Sequence, residues 1–260
     1  MFLTRLLLSV LVLVVTPSGF AQKDEALHDK LAGYVDHIGI ELKALNRLEA
    51  ELGDLPDMQA DVLNYRIDSR VFRLLRHAEE IVSLLPRLDE DDPLTEEFRQ
   101  KVIADFGRVD EHVFKRLGQL DTKIGGDLEQ LASTSGTERV VMSARIDTLD
   151  VLRERYLEAM VRQVNIRKGL GLSVATLLPQ VERQLLLRAE SLTGSLMMTS
   201  ALLRDFQSRR ISDANRAEMT TLLSYSMDRR DQYLARLQNI TTMMQDLGLD
   251  TTDYKSVLVA

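Results

Sequence analysis

Apolar residues recur every three or four positions along most of this chain, which is the spacing of a helix with one buried face. The longest run takes ten such steps, with a period slightly above the roughly 3.6 residues of an ideal helical turn. Asp92 and Pro93 precede it with an N-cap and a first-turn proline. A helix of about 60 Å could not be stable alone, so other helices must lie along it. Its apolar residues are Leu94, Phe98, Val102, Phe106, Val109, Val113, Leu117, Leu120, Ile124, Leu128 and Leu131.

Five further stripes of this kind predict five more helices, and no stretch shows the alternation of a strand. The residues predicted to point inward are Leu27, Leu31, Val35, Ile38, Leu42, Leu45, Leu48 and Leu52 in the first helix; Met58, Val62, Tyr65, Phe72, Leu75, Ala78, Val82 and Leu85 in the second; Met142, Ile146, Leu149, Leu152, Tyr156, Met160 and Val164 in the fourth; Val181, Leu185, Ala189, Leu192, Leu196, Thr199, Leu203 and Phe206 in the fifth; and Tyr233, Leu237, Ile240, Met244 and Leu247 in the sixth. The periods of the first and third stripes exceed the value of about 3.5 that a long left-handed supercoil requires. The sequence therefore predicts an all-α fold, an elongated bundle of about six long helices arranged as antiparallel hairpins.

Cap and turn residues divide the chain further. Ser135 with Glu138 matches a capping box for the fourth helix. The start of the fifth helix has two alternatives: Ser173 caps it and Pro179 kinks it, or Pro179 is its first residue. Other predicted ends are Gly53, Arg209–Arg210 and Gly248 as helix stops and Ser212 as a cap. The resulting domains are residues 1–21 as a signal peptide, 22–248 as the bundle, with hairpins at about 24–85, 94–168 and 173–247, and 249–260 as a C-terminal tail.

The segment Met1–Ala21 matches a secretory signal. Arg5 is a short basic region, Leu6–Val15 is uncharged and almost wholly apolar, and Thr16–Ala21 ends in small residues. The apolar run is shorter than the roughly 20 residues of a membrane-spanning helix. Cleavage is predicted between Ala21 and Gln22, and it would place the mature chain in the periplasm.

The composition of the mature chain excludes several classes of function. The sequence has no cysteine, which excludes disulfides, thiol redox chemistry and thiolate zinc sites. Without Arg5 there remain 32 basic and 40 acidic residues, a net charge of −8, which argues against generic nucleic-acid binding. The longest uncharged mature runs, Gly169–Val181 and Ser191–Leu203, each have 13 residues and are too short to span a bilayer.

The motifs that would indicate catalysis or metal binding are absent, incomplete or present only once. Glu25 and His28 form the only Glu-x-x-His pair, whereas di-iron bundles carry this motif on two helices, so we interpret it as coincidence. There is no Gly-x-Ser-x-Gly elbow, and Gly169–Gly171 lacks the third glycine of a phosphate loop. The carboxylates are expected at solvent-facing helical positions. The sequence therefore predicts no enzyme, no catalytic, cofactor-binding or metal-binding residue, no cofactor, and no small-molecule substrate.

Two other features have alternative interpretations. Arg66, Arg70, Arg73 and Arg76 line one side of the second helix. Pairing with Glu41, Glu49 or Asp61, or plain solvation, is favoured over a strip for anionic lipids or an acidic partner. The run Ser191–Leu203 is rich in small residues and methionines; burial in the domain is favoured over an inter-subunit or membrane-proximal face.

The export signal, the long acidic helices in hairpins and the tail turning apolar at Tyr254–Ala260 have a known parallel. They resemble the extracytoplasmic N-terminal region ahead of the membrane domain in larger bacterial mechanosensitive channels of the small-conductance type. This resemblance of organisation covers about Lys23 to Ala260. It implies a periplasmic helical domain flanking a tension-gated, oligomeric pore. The pore-lining helix and cytoplasmic vestibule of that family are absent, so this chain would be the front portion of such a protein or a free-standing relative.

Three functional hypotheses follow. The first is a non-enzymatic periplasmic domain that contacts a membrane-embedded channel, its subunits or its surroundings, tethered to the inner membrane if it is part of a channel. The second is a free periplasmic scaffold or adaptor, and the third is a metal-dependent bundle enzyme built on Glu25 and His28. A homo-oligomer is compatible with the first two. Continuation of the reading frame past Ala260 into apolar segments of roughly 20 residues would favour the first over the second.

Overall fold

The computed structural model of the chain describes residues 18–52, 57–87, 93–208 and 216–259, and within these ranges it contains helices and no strand. The helices are α1 (Ser18–Leu52), α2 (Asp57–Leu84), α3 (Pro93–Leu131), α4 (Gly136–Gly169), α5 (Leu178–Ser208), α6 (Arg216–Asp246) and α7 (Thr252–Val259), with a short 3-10 helix at Leu85–Arg87. The predicted all-α fold is therefore confirmed.

Three antiparallel hairpins form the bundle, as the sequence predicts: α1 packs on α2, α3 on α4, and α5 on α6. Within the second hairpin the ion pairs are Asp127–Arg145, Asp121–Arg153 and Asp110–Arg167. Their residue numbers rise along α4 as they fall along α3, which shows that the two helices are antiparallel. α4 also packs against α2 and α5, so it joins the three hairpins. One continuous apolar core extends through all of them.

Most residues predicted to face inward do so. Those of α1, α4, α5 and α6 are all buried or half-buried, as are those of α3 from Leu94 to Ile124. In α1, α3, α5 and α6 one stripe faces the neighbouring helices, so the spacing of apolar residues identifies the buried face directly. α4 also buries Leu157, Val161 and Ile166 outside its predicted stripe, because it contacts three helices.

The prediction is wrong for the first half of α2. Val62 and Tyr65 are 63% and 72% exposed, and the neighbouring stripe is buried instead. That stripe comprises Leu63, Ile67, Val71, Leu74 and Ile81, whereas Leu75 and Ala78 in the second half of the helix are buried as predicted. α2 lies between α1 and α4, so its buried face is wide enough to include the polar residues Asn64 and Asp68. Counting apolar residues alone therefore misplaces the centre of the face.

The prediction is also wrong near the end of α3. Leu128 is exposed, whereas the adjacent Asp127 is buried. The Nε atom of Arg145 on α4 lies 2.9 Å from Oδ2 of Asp127. A carboxylate can be buried here because the opposite helix supplies a cation.

The structure contradicts the expected cap of α4 and decides between the two alternatives for the start of α5. Ser135 occupies the N-cap position of α4 in an extended conformation, but its side chain makes no capping hydrogen bond, so the predicted capping box does not form. α5 begins at Leu178, which places Pro179 in its first turn and excludes Ser173 as the cap. The N–H groups of Leu177 and Leu178 donate to the Val174 carbonyl in the preceding turn.

Glycines end α4 and α6 in the same manner. Gly171 and Gly248 have φ of 67° and 81°, the left-handed region that glycine adopts without steric cost. At the end of α6, the N–H of Gly248 donates to the Gln245 carbonyl and that of Leu249 to the Met244 carbonyl. This Schellman arrangement confirms Gly248 as a helix stop.

The predicted tail after Gly248 contains the helix α7. The Thr252 N–H and hydroxyl both donate to Oδ1 of Asp250, which fixes the turn that leads into the helix. Val257 and Leu258 are half-buried against the core. The tail is therefore packed on the third hairpin.

Several expectations fall outside the described residues: the basic and apolar parts of the signal, Gly53, Arg209–Arg210 and Ser212. The side chain of Met58 is also outside them. α1 begins at Ser18, so the backbone on both sides of the predicted cleavage site is helical. Processing at Ala21 stays a prediction.

Gly169 sets the spacing between the ends of α2 and α4. A Cβ atom at this position would overlap Cγ1 of Val82. We expect Gly169→Ala to reduce the free energy of unfolding by about 1–3 kcal/mol, the usual cost of overpacking, and Val82→Ala to remove most of that effect. Denaturant titration of the four members of this cycle measures both. Gly118→Ala in α3 is the control because a Cβ there meets no atom within 4 Å, and it should be neutral or stabilising. Equal effects of the two alanines would contradict the prediction.

Candidate functional site

A buried ion pair joins three helices at the middle of the first two hairpins. Asp68 on α2 accepts hydrogen bonds from Arg116 on α3, with Nε and Nη2 each 3.2 Å from a carboxylate oxygen. The Tyr156 hydroxyl on α4 donates to Oδ1 of the same carboxylate. Asp68 is 2% exposed and Tyr156 fully buried. These three side chains therefore form a closed polar contact inside an apolar core.

His112 extends this cluster to α1. Its Nδ1 atom lies 3.2 Å from Oε1 of Glu49, and its Nε2 atom lies 3.8 Å from Oδ1 of Asp68. Arg116 also donates from Nη1 to Oε1 of Gln119 at 2.7 Å. Asp68, His112, Arg116, Tyr156 and Glu49 are called here the central cluster, and they link the first four helices.

The electrostatics of the central cluster favour its charged form. Burial by itself would raise the pKa of Asp68, but contacts with His112, Arg116 and Tyr156 outweigh it and hold the pKa below its ordinary value. Burial opposes the charge on Arg116, yet Asp68 raises the pKa of that guanidinium. Burial and the nearby Asp68 carboxylate raise the pKa of the Tyr156 hydroxyl. Asp68 and Arg116 are thus an ionised pair, and Tyr156 is a neutral donor.

A second ionic cluster joins α4 to the third hairpin. Asp150 and Glu154 on α4 both accept from Nη2 of Arg188 on α5, at 3.0 and 2.7 Å. Arg236 on α6 donates from Nη1 to Oδ2 of Asp150 at 2.8 Å. Arg188 is 4% exposed. Burial opposes its charge, but Asp150 and Glu154 raise its pKa.

The same cluster reaches α3. The Nε atom of Arg153 lies 2.7 Å from Oδ1 of Asp121 and its Nη1 atom 4.0 Å from Oδ1 of Asp150. The set Asp121, Asp150, Arg153, Glu154, Arg188 and Arg236 is called here the hairpin cluster. Its three carboxylates balance its three guanidinium groups. Because each of these charges has an opposite charge beside it, the charged groups can be buried. Their pairing fixes the relative positions of α3, α4, α5 and α6.

A cleft of about 510 Å³ lies over the central cluster, between α1, α2 and α3. Asn64 and His112 contribute buried side chains to it, and the rim carries Arg108, Lys115 and Glu111 with Glu49. The rim thus carries two cations and two carboxylates. Because the rim has no net charge, it favours neither an anion nor a cation.

The candidate metal motif gains no support from its surroundings. His28 is exposed, and the side chain of Glu25 lies outside the described residues. Among the side chains that the structure describes, no group of three or more His, Asp or Glu could hold a metal ion. Interpretation of the motif as coincidence stays a prediction.

The favoured interpretation of the arginine stripe is confirmed for two of its members. Arg70 Nη1 and Arg73 Nε lie 2.9 and 3.1 Å from the carboxylate oxygens of Glu41 on α1. Asp61 pairs with Lys123 instead, and Glu49 with His112. Arg66 and Arg76 are exposed.

The favoured interpretation of Ser191–Leu203 is wrong in part. Leu192, Leu196 and Leu203 are buried, but Met197 and Met198 are 66% and 70% exposed. Leu202 is also exposed. Leu192, Leu196 and Leu203 face the core. The residues on the opposite side of the helix are uncharged as well, and they are exposed, so this second face is open. Among the described residues, no helix is long and apolar enough to span a membrane.

Comparison with known proteins yields no relative. The chain matches no protein-family model, no curated protein and no solved structure. Function is therefore inferred from the residues themselves.

Asp110 gives the stability of the second hairpin a defined pH dependence. It pairs with Arg167 across α3 and α4. Burial nevertheless raises the pKa of Asp110 to about 6, and the attraction to Arg167 offsets this only in part. The folded state therefore binds this proton more tightly than the unfolded state, so the contribution of Asp110 to stability falls as pH rises from about 4 to 6.

We expect Asp110→Asn to remove this pH dependence of the free energy of unfolding. Relative to the wild type, the variant should gain on the order of 1–2 kcal/mol of unfolding free energy between pH 4 and 7. Urea titrations across this range measure the difference, with Glu111→Gln as an exposed control on the same helix. Parallel pH profiles for wild type and Asp110→Asn would contradict it.

Proposed function

We propose that this chain is a non-enzymatic periplasmic helical domain that works by contact with other proteins, next to the membrane-embedded part of a mechanosensitive channel. The charged groups of both ionic clusters are paired with one another inside the bundle. They therefore fix the structure, which supports a role in binding through the surface. The central and hairpin clusters together hold α1 to α6 in fixed positions. A rigid bundle of this kind presents its surface in one arrangement.

The observation that carries the proposal is a set of exposed apolar side chains on α4, α5 and α6. They are Val140, Val141, Met197, Tyr225 and Met227. Val140 and Tyr225 line one open groove of about 680 Å³, and Met197 and Met227 line another of about 760 Å³. Grouped apolar exposure marks interaction sites on soluble proteins.

Photocrosslinking in intact cells tests the proposal. A photoreactive residue at Val140 should capture an inner-membrane protein with pore-forming helices, whereas the same residue at Tyr65 should not. Tyr65 is the control because it is equally exposed but lies on α2. Capture of a soluble periplasmic protein instead would support the alternative, a free scaffold or adaptor. Equal products at both positions would count against a specific surface.

Export is tested separately. We expect the protein recovered from a periplasmic extract to begin at Gln22, because small residues at the end of the signal permit cleavage. Ala21→Arg should block processing and leave a longer, membrane-bound precursor, and Ala26→Arg should not. Intact mass spectrometry of both variants measures the result. A wild-type protein that keeps the segment Met1–Ala21 would refute the predicted cleavage.

A further inference from the structure

The outer face of α5 differs from an ordinary solvated helix face. It consists of Leu187, Ser191, Gly194, Met198, Ala201 and Leu202, all exposed. The core-facing side of the same helix carries Leu185, Ala189, Leu192, Leu196 and Leu203. From Ser191 to Leu203 the sequence contains no charged residue. A surface helix normally opposes its apolar stripe with charged and polar residues.

We infer that this outer face binds a second copy of the same chain, α5 against α5. An uncharged face can meet its own copy without like-charge repulsion and without burying an unpaired charge. Ser191, Gly194 and Ala201 are small enough for a close approach, and Met198 can adapt to an irregular gap. A two-fold dimer uses the same patch on both subunits, as this arrangement requires.

Four exposed charged residues lie at the ends of the face, Arg183 and Glu190 at one end and Arg204 and Asp205 at the other, and the pair Glu190 and Arg204 bears on its orientation. Glu190 and Arg204 are exposed and lie almost four helical turns apart, so both are on the same flank of α5. An antiparallel pair crossing at Met197 places Glu190 of one copy opposite Arg204 of the other, twice. A parallel pair would place the two copies of each residue at the same level but on opposite flanks, so neither residue would meet an opposite charge. Charge complementarity therefore selects the antiparallel pair.

The small area of the face indicates a weak dimer. Leu187, Met198 and Leu202 are its large apolar members, and they are 47%, 70% and 50% exposed. Such a patch falls below the roughly 800 Å² per partner of a standard stable interface. The dimer is thus weak and reversible. This inference goes beyond the proposed function and does not depend on a channel partner, since its tests use the purified chain.

Sedimentation equilibrium tests the dimer, using the protein as the expressing bacterium processes it. The wild type should pass from monomer to dimer within a concentration series of roughly 1 μM to 1 mM, the span of dissociation constants for weak binding. Met198→Glu should raise the dimer dissociation constant at least tenfold, because two carboxylates would meet at the crossing. The matched control is Tyr65→Glu on α2, which should leave the constant unchanged.

Charge exchange tests the orientation. Glu190→Arg and Arg204→Glu should each weaken self-association, and an equal mixture of the two variants should associate as well as the wild type. Only an antiparallel pair predicts this recovery, since each Arg then faces a Glu. Failure of the mixture to recover would overturn the antiparallel orientation.

A single cysteine gives an independent readout, because the chain has none of its own. Met198→Cys should form a disulfide dimer on mild oxidation, whereas Tyr65→Cys should stay monomeric. A wild type that remains monomeric throughout the concentration range would overturn the inference. So would a dimer unaffected by Met198→Glu, or a loss of binding to phosphatidylethanolamine–phosphatidylglycerol vesicles in that variant without any change in self-association.

Discussion

Asp68→Ala should lower the free energy of unfolding by about 3–5 kcal/mol, the range observed when one member of a buried ion pair is removed. The substitution leaves the Arg116 guanidinium, itself only 7% exposed, without the carboxylate that both its Nε and Nη2 contact. It also removes the acceptor of the Tyr156 hydroxyl. Thermal or urea unfolding measures the loss.

The matched control is Asp61→Ala on the same helix. Asp61 also pairs with a cation on α3, Lys123 at 2.6 Å, but both side chains are well exposed. An exposed pair contributes at most about 1 kcal/mol, so this variant should be nearly neutral. The double variant Asp68→Leu with Arg116→Met should recover much of the stability, because it replaces the pair with apolar groups of similar size. Equal losses for Asp68→Ala and Asp61→Ala would show that burial gives the pair no special weight.

The difference between wild type and Asp68→Ala should also depend on pH. Contacts in the folded state hold the pKa of Asp68 below its ordinary value, although burial opposes them. The resulting stabilisation is present above about pH 4 and is lost as pH falls below it. The two proteins should therefore converge in stability at low pH, in contrast to the behaviour expected from Asp110.

The helical fold could be predicted from the sequence because its signal is local. Phe98, Phe106 and Val113 recur at helical spacing and are fully buried. The hairpin pairs follow from short connections between long helices. What periodicity cannot give is the width of a buried face, and α2 shows the consequence: contact with both α1 and α4 buries Leu63 and leaves Val62 exposed.

The ionic clusters could not be predicted because their members are distant in sequence. Asp68 lies 48 residues from Arg116 and 88 from Tyr156. A carboxylate in a helix is ordinarily solvated, so each residue taken singly indicates a surface position. The available signal was positional: Asp68 adjoins Ile67 and lies three residues before Val71, within the stripe that is buried. A charged residue inside an apolar stripe predicts a partner on a facing helix.

The open face of α5 was recognisable only as an alternative. Ser191–Leu203 is uncharged throughout, so its composition does not distinguish the inner side of the helix from the outer side. Helical spacing does separate them, since Leu192, Leu196 and Leu203 form one stripe and Met198 with Leu202 another. A helix with apolar groups on both sides is typical of burial on both sides. Within the described residues, only one of these sides is covered.

Arg188→Met should cost about 3 kcal/mol and act mainly on the third hairpin. Arg188 bridges Asp150 and Glu154 from a position that is 4% exposed, and its loss leaves three carboxylates facing two guanidinium groups in the hairpin cluster. Arg183→Met, on an exposed turn of the same helix, is the control and should change stability by less than about 0.5 kcal/mol.

Restoring the charge balance should restore stability. Glu154→Gln in the Arg188→Met background removes the excess carboxylate, and the double-mutant cycle should give a coupling energy of about 1–3 kcal/mol. Hydrogen exchange should locate the effect: in Arg188→Met, amides of α5 and α6 should exchange faster while those of α1 and α2 keep their protection. Both clusters include residues of α3 and α4, but Arg188 contacts only carboxylates of α4, so its loss weakens the contact between α4 and α5 without disturbing Asp68. Uniform acceleration across all six long helices would instead mean that the bundle opens as one unit.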